Sequence, residues 1–315
     1  DRVRAALRVL KATHGRVAVA DFGPLALQAI QHRLIGQGKS RRYVNHLTSA
    51  ICRVFRWGVT QEIVLETVYR ALAAVPGLRR GRSKAKETPP VEPVPEATVQ
   101  ATLPHLSPVV ADMVRVQRLT GCRPGEVCII RPTDVDRSGD VWEYRPARHK
   151  GEWRGRERVI FIGPQAQAVL SPYLLRSADA YCFSPAESEK KRRAEITSNR
   201  RTPATYGNRV GTNRKPKPKR SPGDRYDANS YRQAIHRAVE AANRVRQNEA
   251  EDGEDIELLP KWSPNRLRHA AGTDIRKQFG LEAAQVALGH ATADVTQVYA
   301  ERDAELARRV ARKIG

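Results

Sequence analysis

Three segments near the C-terminus decide the fold: Trp262-Ser263-Pro264-Asn265-Arg266-Leu267-Arg268-His269, Leu288-Gly289-His290 and Thr296-Gln297-Val298-Tyr299. Ser263 and Pro264 suit the N-cap and first position of a helix. Such a helix places Asn265, Arg268 and His269 on one face. Gly280 then interrupts the helical pattern, and Gly289 ends the short apolar helix that follows it. The face offers an amide, a guanidinium fork and an imidazole to one small anion, such as a phosphate.

A second segment, Thr120-Gly121-Cys122-Arg123-Pro124-Gly125-Glu126, follows an apolar helical pattern from about Pro108 to Leu119. Gly121 permits a sharp turn, and Pro124 suits the first position of a short helix. Arg123 is therefore expected at a rigid helix start, with Glu126 one turn further on. The alternative is an ordinary surface pair of Arg123 and Glu126, which would stabilise the protein little.

A third segment predicts a hairpin with a long basic loop. Val141 to Pro146 and Arg158 to Ile162 have the composition of β-strands. The loop between them carries several cations, including Arg148, Lys150, Arg154 and Arg156. A lysine on a flexible loop can swing towards a leaving oxygen and give it a proton. The alternative is a lysine that only contacts DNA.

Together these segments resemble the tyrosine recombinases, the phage-integrase family. Their motif is close to T-G-x-R-x-x-E, and every fixed position of it is present here, whereas Asn265 stands where the family usually places a His. The resemblance implies a nucleophile, a set of phosphate ligands, a general acid and an acidic orienting residue. By this resemblance Tyr299 is the nucleophile, and Arg123, Arg268 and His290 bind the phosphate, with Asn265 at the family's His position. Lys150 is the general acid, and Glu126 orients Arg123.

The implied chemistry is DNA cleavage through a 3′-phosphotyrosyl link, without cofactor, metal or ATP. Two arginines neutralise the charge that develops on the phosphate, and the sequence has no carboxylate constellation of the kind that binds Mg²⁺. An asparagine can donate a hydrogen bond to phosphate but cannot take a proton from the tyrosine. Whether His269 or His290 compensates for this stays open.

The composition points to a polyanionic partner. Among 315 residues there are 56 Lys or Arg and 34 Asp or Glu, a net charge of +22. A cationic protein of the membrane surface is the competing interpretation. The sequence has no long apolar run and no signal peptide, and its four cysteines have no paired spacing. We therefore expect a cytoplasmic protein with reduced thiols, and neither a disulfide framework nor a metal site.

Residues 1–80 have the pattern of a helical domain. Ser40 can cap a helix whose apolar positions recur at helical spacing up to Phe55. The segment Ser40 to Val64 resembles the core-binding domain of the same recombinases. We expect the basic face of this helix to lie along DNA phosphates rather than to be merely solvated. With the hairpin loop, the predicted DNA contacts are Lys39, Arg41, Arg42, Asn45, Arg53, Arg148 and Arg154.

A Pro-rich basic linker over residues 81–95 is expected to lead into a catalytic domain over residues 96–315. That domain has a basic insertion at about 185–228. Lys190 to Arg220 holds twelve Lys or Arg and one acid, a net charge of +11, and its prolines argue against regular structure. The insertion is either disordered and solvated or an additional non-specific contact to phosphates.

The predicted fold is mainly α with a small antiparallel β-sheet. A helical core-binding (SAM-like) domain and an α+β catalytic domain would close around duplex DNA as a clamp. The predicted function is site-specific recombination by a mobile-element integrase. Its partners would be double-stranded attachment sites, three further copies of the chain in a tetramer on synapsed DNA, and accessory proteins that bend DNA or set the direction of reaction. The alternatives are a type IB topoisomerase-like enzyme and an integrase-derived DNA-binding protein with weakened catalysis.

Overall fold

The structure, a computed structural model, describes residues 2–155, 157–201, 203, 221–250 and 256–289, apart from the side chain of Arg154. The chain divides into two compact units, Asp1–Pro90 and Val91–Gly315. The division falls inside the segment that the sequence analysis assigns to the linker. In the described part of the chain, none of the helices combines the length and the hydropathy that a membrane span requires.

The first unit is helical, as predicted. It contains four α-helices: α1 (Arg2–His14), α2 (Pro24–Gly36), α3 (Arg41–Thr60) and α4 (Glu66–Ala73). The sequence analysis did not anticipate α4. Apolar side chains from all four helices form one core, in which Leu27, Ile51 and Leu72 are fully buried. As predicted, Ser40 caps α3, because its Oγ accepts a hydrogen bond from the Tyr43 N–H over 3.3 Å.

The chain after α4 has no regular secondary structure, and it is tied to α3. The Asn45 side chain donates to the Leu78 carbonyl over 3.0 Å and accepts from the Leu78 N–H over 2.8 Å. Arg41 donates from Nε to Glu87 and from Nη1 to the Leu78 carbonyl. Lys86 pairs with Ser40 in an isolated parallel bridge. These bonds make residues 78–87 part of the first unit.

The second unit is mainly helical and contains one small sheet, which confirms the predicted fold class. Its helices are α5 (Glu96–Thr102), α6 (Pro108–Thr120), α7 (Pro124–Val127), α8 (Pro164–Leu174), α9 (Pro185–Ser198), α10 (Ala228–Glu249) and α11 (Asn265–Leu288). The core lies between α6, α8, α10 and the sheet, with Met113, Leu170 and Tyr231 fully buried.

The sheet has three antiparallel strands in the order β1 (Val135–Asp136), β2 (Trp142–Tyr144) and β3 (Ile160–Ile162). Val135 faces Tyr144, and Tyr144 in turn faces Ile160. The predicted hairpin is therefore present with shorter strands than expected, and β1 was missed. Two residues give too short a pattern for a strand to be recognised from sequence.

Helix α9 corrects the expectation that Lys190 to Arg220 lacks regular structure. The Ser184 Oγ accepts from the Glu187 N–H, and Pro185 occupies the first helical turn, so the helix starts with two favourable residues. The prolines that argued against a helix, Pro203 and those after it, all follow its end at Ser198. Residues 202 and 204–220 lie outside the described part of the chain.

Helix α11 has a sharp break at Gly280, where φ is 90° and ψ is 178°. Gly289, with φ of 61°, caps its end. Both glycines were predicted to interrupt the helix, and both do. The helix begins at Asn265, one residue later than predicted, and Pro264 precedes it without a side-chain cap. Ser263 contributes its backbone carbonyl, which accepts from the Arg266 N–H over 2.9 Å.

Candidate active site

The turn between α6 and α7 carries the first part of the site. Gly121 ends α6 with φ of 63°, a left-handed conformation that favours glycine. The space beside it is also closed, because a Cβ there would lie 2.7 Å from Leu288 Cδ2 and 3.4 Å from Ala271 Cβ. Two parts of α11 therefore pack directly against this turn, and no larger residue fits at position 121.

Arg123 is held at the start of α7 by Glu126. The Arg123 guanidinium donates from Nη1 to Glu126 Oε1, and the Arg123 backbone N–H donates to Oε2, both over 2.7 Å. The Arg123 side chain is 32% exposed, whereas that of Glu126 is 4% exposed. The buried carboxylate thus holds the guanidinium from the interior side and leaves part of it open to solvent. Because Glu126 is buried, the two residues are not an ordinary surface pair.

Arg268 lies behind the same turn and is only 1% exposed. Its Nη1 donates to the Gly121 carbonyl and its Nη2 to the Leu288 carbonyl, both over 2.7 Å. Through these two bonds the guanidinium joins the segment before Arg123 to the segment before Gly289. The predicted role of Arg268 as a phosphate ligand stays a prediction.

Asn265 and His269 pair with one another on the first turn of α11. Asn265 Nδ2 lies 3.2 Å from His269 Nε2. Asn265 is exposed, whereas His269 is 5% exposed. Burial, followed by the charges of Arg268 and Arg266, lowers the pKa of His269 to about 4. A histidine with so low a pKa is neutral at pH 7 but is a weak base.

The loop between β2 and β3 carries Lys150. Lys150 and Arg148 are both exposed, and within the described residues neither has an ion pair or a side-chain hydrogen bond. A short 3-10 turn, Glu152–Arg154, follows them. The side chain of Arg154 and the whole of Arg156 lie outside the described part. The structure thus leaves the Lys150 ammonium group accessible on a long loop.

Two residues of the predicted site, His290 and Tyr299, lie outside the described residues. The last described residue of this region is Gly289. The site described here therefore consists of Arg123, Glu126, Asn265 and Arg268, with Lys150 on its loop.

The basic face of α3 is smaller than predicted. Lys39, Arg42 and Arg53 are exposed, as a DNA-contact surface requires. Arg41 and Asn45 instead hold the segment Leu78 to Glu87, and the Arg41 side chain is only 17% exposed. The Arg41 guanidinium, which bonds to Glu87, lowers the pKa of that carboxyl. These two residues thus have structural partners that spacing along one helix could not reveal.

Three buried polar residues support the site and were not anticipated from sequence. Gln117 Nε2 donates to the Cys122 carbonyl over 3.1 Å and to the Pro264 carbonyl over 3.0 Å. The Tyr144 hydroxyl donates to the Glu126 carbonyl over 2.8 Å. The third, Arg158, lies 3.5 Å from Glu126 Oε1. Gln117 falls at helical spacing from the buried residues Val110 and Met113, and a polar residue inside that apolar pattern was the available signal. Arg158 follows Arg156 and Glu157 in the sequence and gave no such signal.

Cys122, Cys128 and Cys182 are buried free thiols, and burial is the main cause that raises the pKa of each. Across the ranges that the structure describes, no group of three His, Cys, Asp or Glu residues is arranged to hold a metal ion. The charges at the described site come from the guanidinium groups of Arg123 and Arg268, the ammonium group of Lys150 and the carboxylate of Glu126.

Comparison with known proteins gives the same fold. The chain is similar to a lambda integrase fragment crystallised as a dimer bound to a COC′ core site, at 13% identity and a TM-score of 0.61, covering 94% of this chain and 86% of that one. It is also similar to the Tn1549 transposon integrase in complex with circular intermediate DNA, at 17% identity and a TM-score of 0.59, covering 95% and 88%. A lambda integrase tetramer bound to a Holliday junction matches at 13% identity and a TM-score of 0.60, covering 95% and 71%.

No curated protein sequence matches the chain. The phage integrase family profile, however, matches residues 101–305. This range is about two thirds of the chain, and it contains the turn with Arg123, the loop with Lys150 and helix α11 with Arg268. The protein therefore belongs to the phage integrase family.

Proposed function

We propose that this protein is a site-specific DNA recombinase that cuts and rejoins duplex DNA through a 3′-phosphotyrosyl intermediate. The observation that carries the proposal is the half-exposed Arg123 guanidinium, held by Glu126, at a turn that Arg268 ties to the Leu288–Gly289 segment. One rigid cation open to solvent and backed by a buried carboxylate is suited to bind a phosphate group.

In the proposed reaction the Tyr299 phenol oxygen attacks the scissile phosphorus. A new O–P bond forms, the bond to the 5′ oxygen breaks, and the phenol proton passes to a base. Lys150 gives a proton to the departing 5′ oxygen, for which its accessible position on the loop is favourable. Arg123 binds a non-bridging oxygen and stabilises the charge of the transition state. Attack by the 5′ hydroxyl of another strand reverses the step and completes the exchange.

Arg268 and His290 complete the phosphate site in this proposal. Arg268 has five N–H groups, of which two are bonded to carbonyls, so in this proposal other N–H groups of the same guanidinium make the phosphate contact. Guanidinium groups supply positive charge without a divalent ion, so the reaction is proposed to need neither metal nor ATP.

Exposed cations supply the DNA contacts of the proposal. Lys39, Arg42 and Arg53 would bind phosphates from the first unit, and Arg148 from the hairpin loop. Arg154, whose side chain lies outside the described part, is proposed as a further contact from the same loop. The lambda integrase structures contain a dimer on a core site and a tetramer on a Holliday junction. By analogy, we infer that four copies of this chain act on two DNA sites in the cytoplasm of a cell that carries the mobile element.

A nicked duplex that loses a short 5′ fragment after cleavage tests the proposal, because the lost fragment cannot return and the covalent adduct accumulates. The wild-type chain should form an adduct, and Tyr299→Phe should bind the same DNA without forming one. An adduct in Tyr299→Phe would assign the nucleophile to another residue, and no adduct in the wild type would refute an active enzyme. Exchange between two sites separates a recombinase from a type IB topoisomerase-like enzyme, which would only relax DNA.

A second candidate function is DNA binding without cleavage. The amide at Asn265 and the full burial of Arg268 favour it, since both depart from an open catalytic arrangement. Tight binding of the nicked duplex without an adduct would support this candidate.

A further inference from the structure

Arg158 is a charged residue in a place that costs free energy to occupy. It lies just before β3 and is 6% exposed. Its Nε lies 3.5 Å from Glu126 Oε1, yet within the described residues neither Nε nor Nη2 has a hydrogen-bond partner. A buried guanidinium with incomplete hydrogen bonding stabilises a fold less than an apolar side chain of similar size would. Its presence therefore calls for a role other than packing.

The carboxylate of Glu126 lies between two guanidinium groups. Arg123 approaches it from the half-exposed side, and Arg158 approaches it from the interior. Burial on its own raises the pKa of Glu126. The charge of Arg158, followed by the backbone and side-chain contacts of Arg123, more than offsets burial and lowers that pKa below its usual value. Arg158 thus favours the ionised form that Arg123 requires.

Arg158 also contacts the turn at the end of α11. A Cβ placed on Gly289 would lie 2.2 Å from Arg158 Nη1 and 3.2 Å from Arg158 Cζ. The guanidinium is therefore in close contact with the backbone of the residue that precedes position 290. One side chain touches both the acid behind Arg123 and the turn that leads towards the C-terminal part of the site.

We propose that Arg158 is a positioning residue that holds Glu126 beneath Arg123 and packs against the Gly289 turn, so that the two halves of the phosphate site keep one arrangement. The proposal deepens the recombinase function and rests on it. Arg158 does not touch the substrate in this proposal; it acts through Glu126 and through the backbone at Gly289.

Among the described residues, few charged or titratable groups face Glu126. Arg123 belongs to the same helix start, Arg158 comes from the strand β3 side, Tyr144 from β2, and Cys122 from the preceding turn. Burial is the main cause that raises the pKa of both Tyr144 and Cys122, to about 12 for Cys122. Both side chains are therefore neutral near pH 7. Loss of the Arg158 charge should therefore be felt mainly by Glu126.

Single-turnover cleavage of the nicked duplex by the whole chain, measured from pH 5 to pH 9, tests this. In Arg158→Met the acid limb of the profile should move to higher pH, because the positive charge that favours the ionised form of Glu126 is lost. Arg158→Lys keeps the charge and should restore most of the wild-type limb. If Arg158 acts through Glu126, the double variant Arg158→Met/Glu126→Gln should be within about twofold of Glu126→Gln alone, because coupled residues are not additive.

Arg145→Met is the matched control. Arg145 is another arginine of the same hairpin, it is about half exposed, and it pairs with Glu143 and Glu157 on the surface. Its profile should match the wild type. An equal loss at every pH in Arg158→Met, or full additivity in the double variant, would reduce Arg158 to a packing role and overturn the proposal.

A stability measurement separates this inference from the proposed function. The pKa of Glu126 is lower in the folded chain than its unfolded value of 4.5, so the ionised carboxylate stabilises the fold at pH values above 4.5. This stabilisation is lost as the pH falls through the pKa of the folded chain. The difference in unfolding free energy between wild type and Arg158→Met should therefore shrink on acidification. The corresponding difference between wild type and Arg145→Met should not change. If the wild type forms no adduct, the proposed recombinase function is refuted. The pH dependence of the unfolding free energy still tests whether Arg158 acts on Glu126. A difference that is independent of pH would refute the inference even in an active enzyme.

Discussion

The Arg268 guanidinium donates to the Leu288 carbonyl over 2.7 Å, although 20 residues of the same helix α11 separate the two. A straight helix of that length would hold them about 30 Å apart. The bond is possible because the chain reverses at Gly280, where φ is 90°. Since Arg268 also bonds to the Gly121 carbonyl, it fixes both the turn before Arg123 and the turn before His290.

Replacing Arg268 by Lys should remove this double contact, because one ammonium group cannot reproduce the planar fork. We expect the cleavage rate to fall by about 10³-fold or more, as for other arginines of phosphoryl transfer. Each buried carbonyl that loses its partner should cost about 1–3 kcal/mol of stability. Arg266→Lys is the matched control, since Arg266 also donates to two backbone carbonyls, those of Glu92 and Pro93, but is only half-buried. Equal effects of the two substitutions in single-turnover cleavage would contradict a special role for Arg268.

The low pKa of His269 should make stability depend on pH. The unfolded chain takes up the proton near pH 6.5, whereas the folded chain does so at about 4, so folding is penalised as the pH falls between these values. The loss should reach about 3 kcal/mol at pH 4, from 1.36 kcal/mol per pKa unit. Denaturant unfolding from pH 7 to pH 4 measures it. In His269→Gln the unfolding free energy should decrease less between pH 7 and pH 4, because this contribution is absent. An unchanged decrease would mean that other groups cause it.

The low pKa of His269 also indicates which residue could replace the histidine that the family usually has at the position of Asn265. His269 should be too weak a base to serve at neutral pH, which leaves His290 as the residue that compensates for Asn265. We therefore expect His269→Gln to change cleavage little and His290→Gln to slow it strongly. Asn265→His should give a small gain. An acceleration of about 10² to 10⁴-fold, the size of a general-base contribution, would instead show that the wild-type chain lacks a base.

Two neighbouring arginines of α3 should behave differently on DNA. Arg42 is exposed, so Arg42→Gln should flatten the dependence of log K on log salt by about 0.9, the slope of one phosphate contact. Arg41 is bonded to Glu87 and Leu78, so Arg41→Gln should leave the salt slope unchanged and lower the melting temperature. Binding to a short duplex at several salt concentrations checks both. The assignment fails if Arg41→Gln flattens the slope as much as Arg42→Gln.

The basic insertion can be tested without disturbing α9, whose Ser188 Oγ donates to Ser107 Oγ over 2.8 Å. Residues 200–220 hold eight Lys or Arg and no acid. Replacing all eight by Gln should weaken binding at any DNA sequence and reduce the salt slope. A variant that keeps the composition of residues 200–220 but scrambles their order should bind as the wild type does, because counterion release depends on charge and not on order. An unaltered slope in the Gln variant would mean that the segment does not contact phosphates.

The sequence predicted those parts of the fold that are signalled by local rules. Ser40 caps α3, Gly121 and Gly289 take left-handed conformations at helix ends, and Gly280 breaks α11, each because one residue type decides the backbone there. The contact between Arg123 and Glu126 was predictable because the two residues belong to one contiguous motif.

The parts that were missed depend on contacts between distant segments. Arg158 faces Glu126 and Gly289, Gln117 bonds to Pro264, and Asn45 bonds to Leu78. None of these partners is fixed by helical or strand spacing, so only the packed structure reveals them. The burial of Arg268 has the same origin, because its two carbonyl partners belong to turns that meet only after α11 reverses.

The bonds of Arg41 and Arg266 have a practical consequence for dissecting the chain. Arg41 holds Glu87 in the first unit, and Arg266 holds the Glu92 carbonyl in the second. Between them, among the described residues, Thr88, Pro89, Pro90 and Val91 form no hydrogen bond and are exposed. A fragment cut at residue 80 would remove the carboxylate partner of Arg41 and the strand segment that pairs with Ser40. A module meant for exchange with a relative should instead end after Pro90, at the boundary between the two compact units and within this exposed segment.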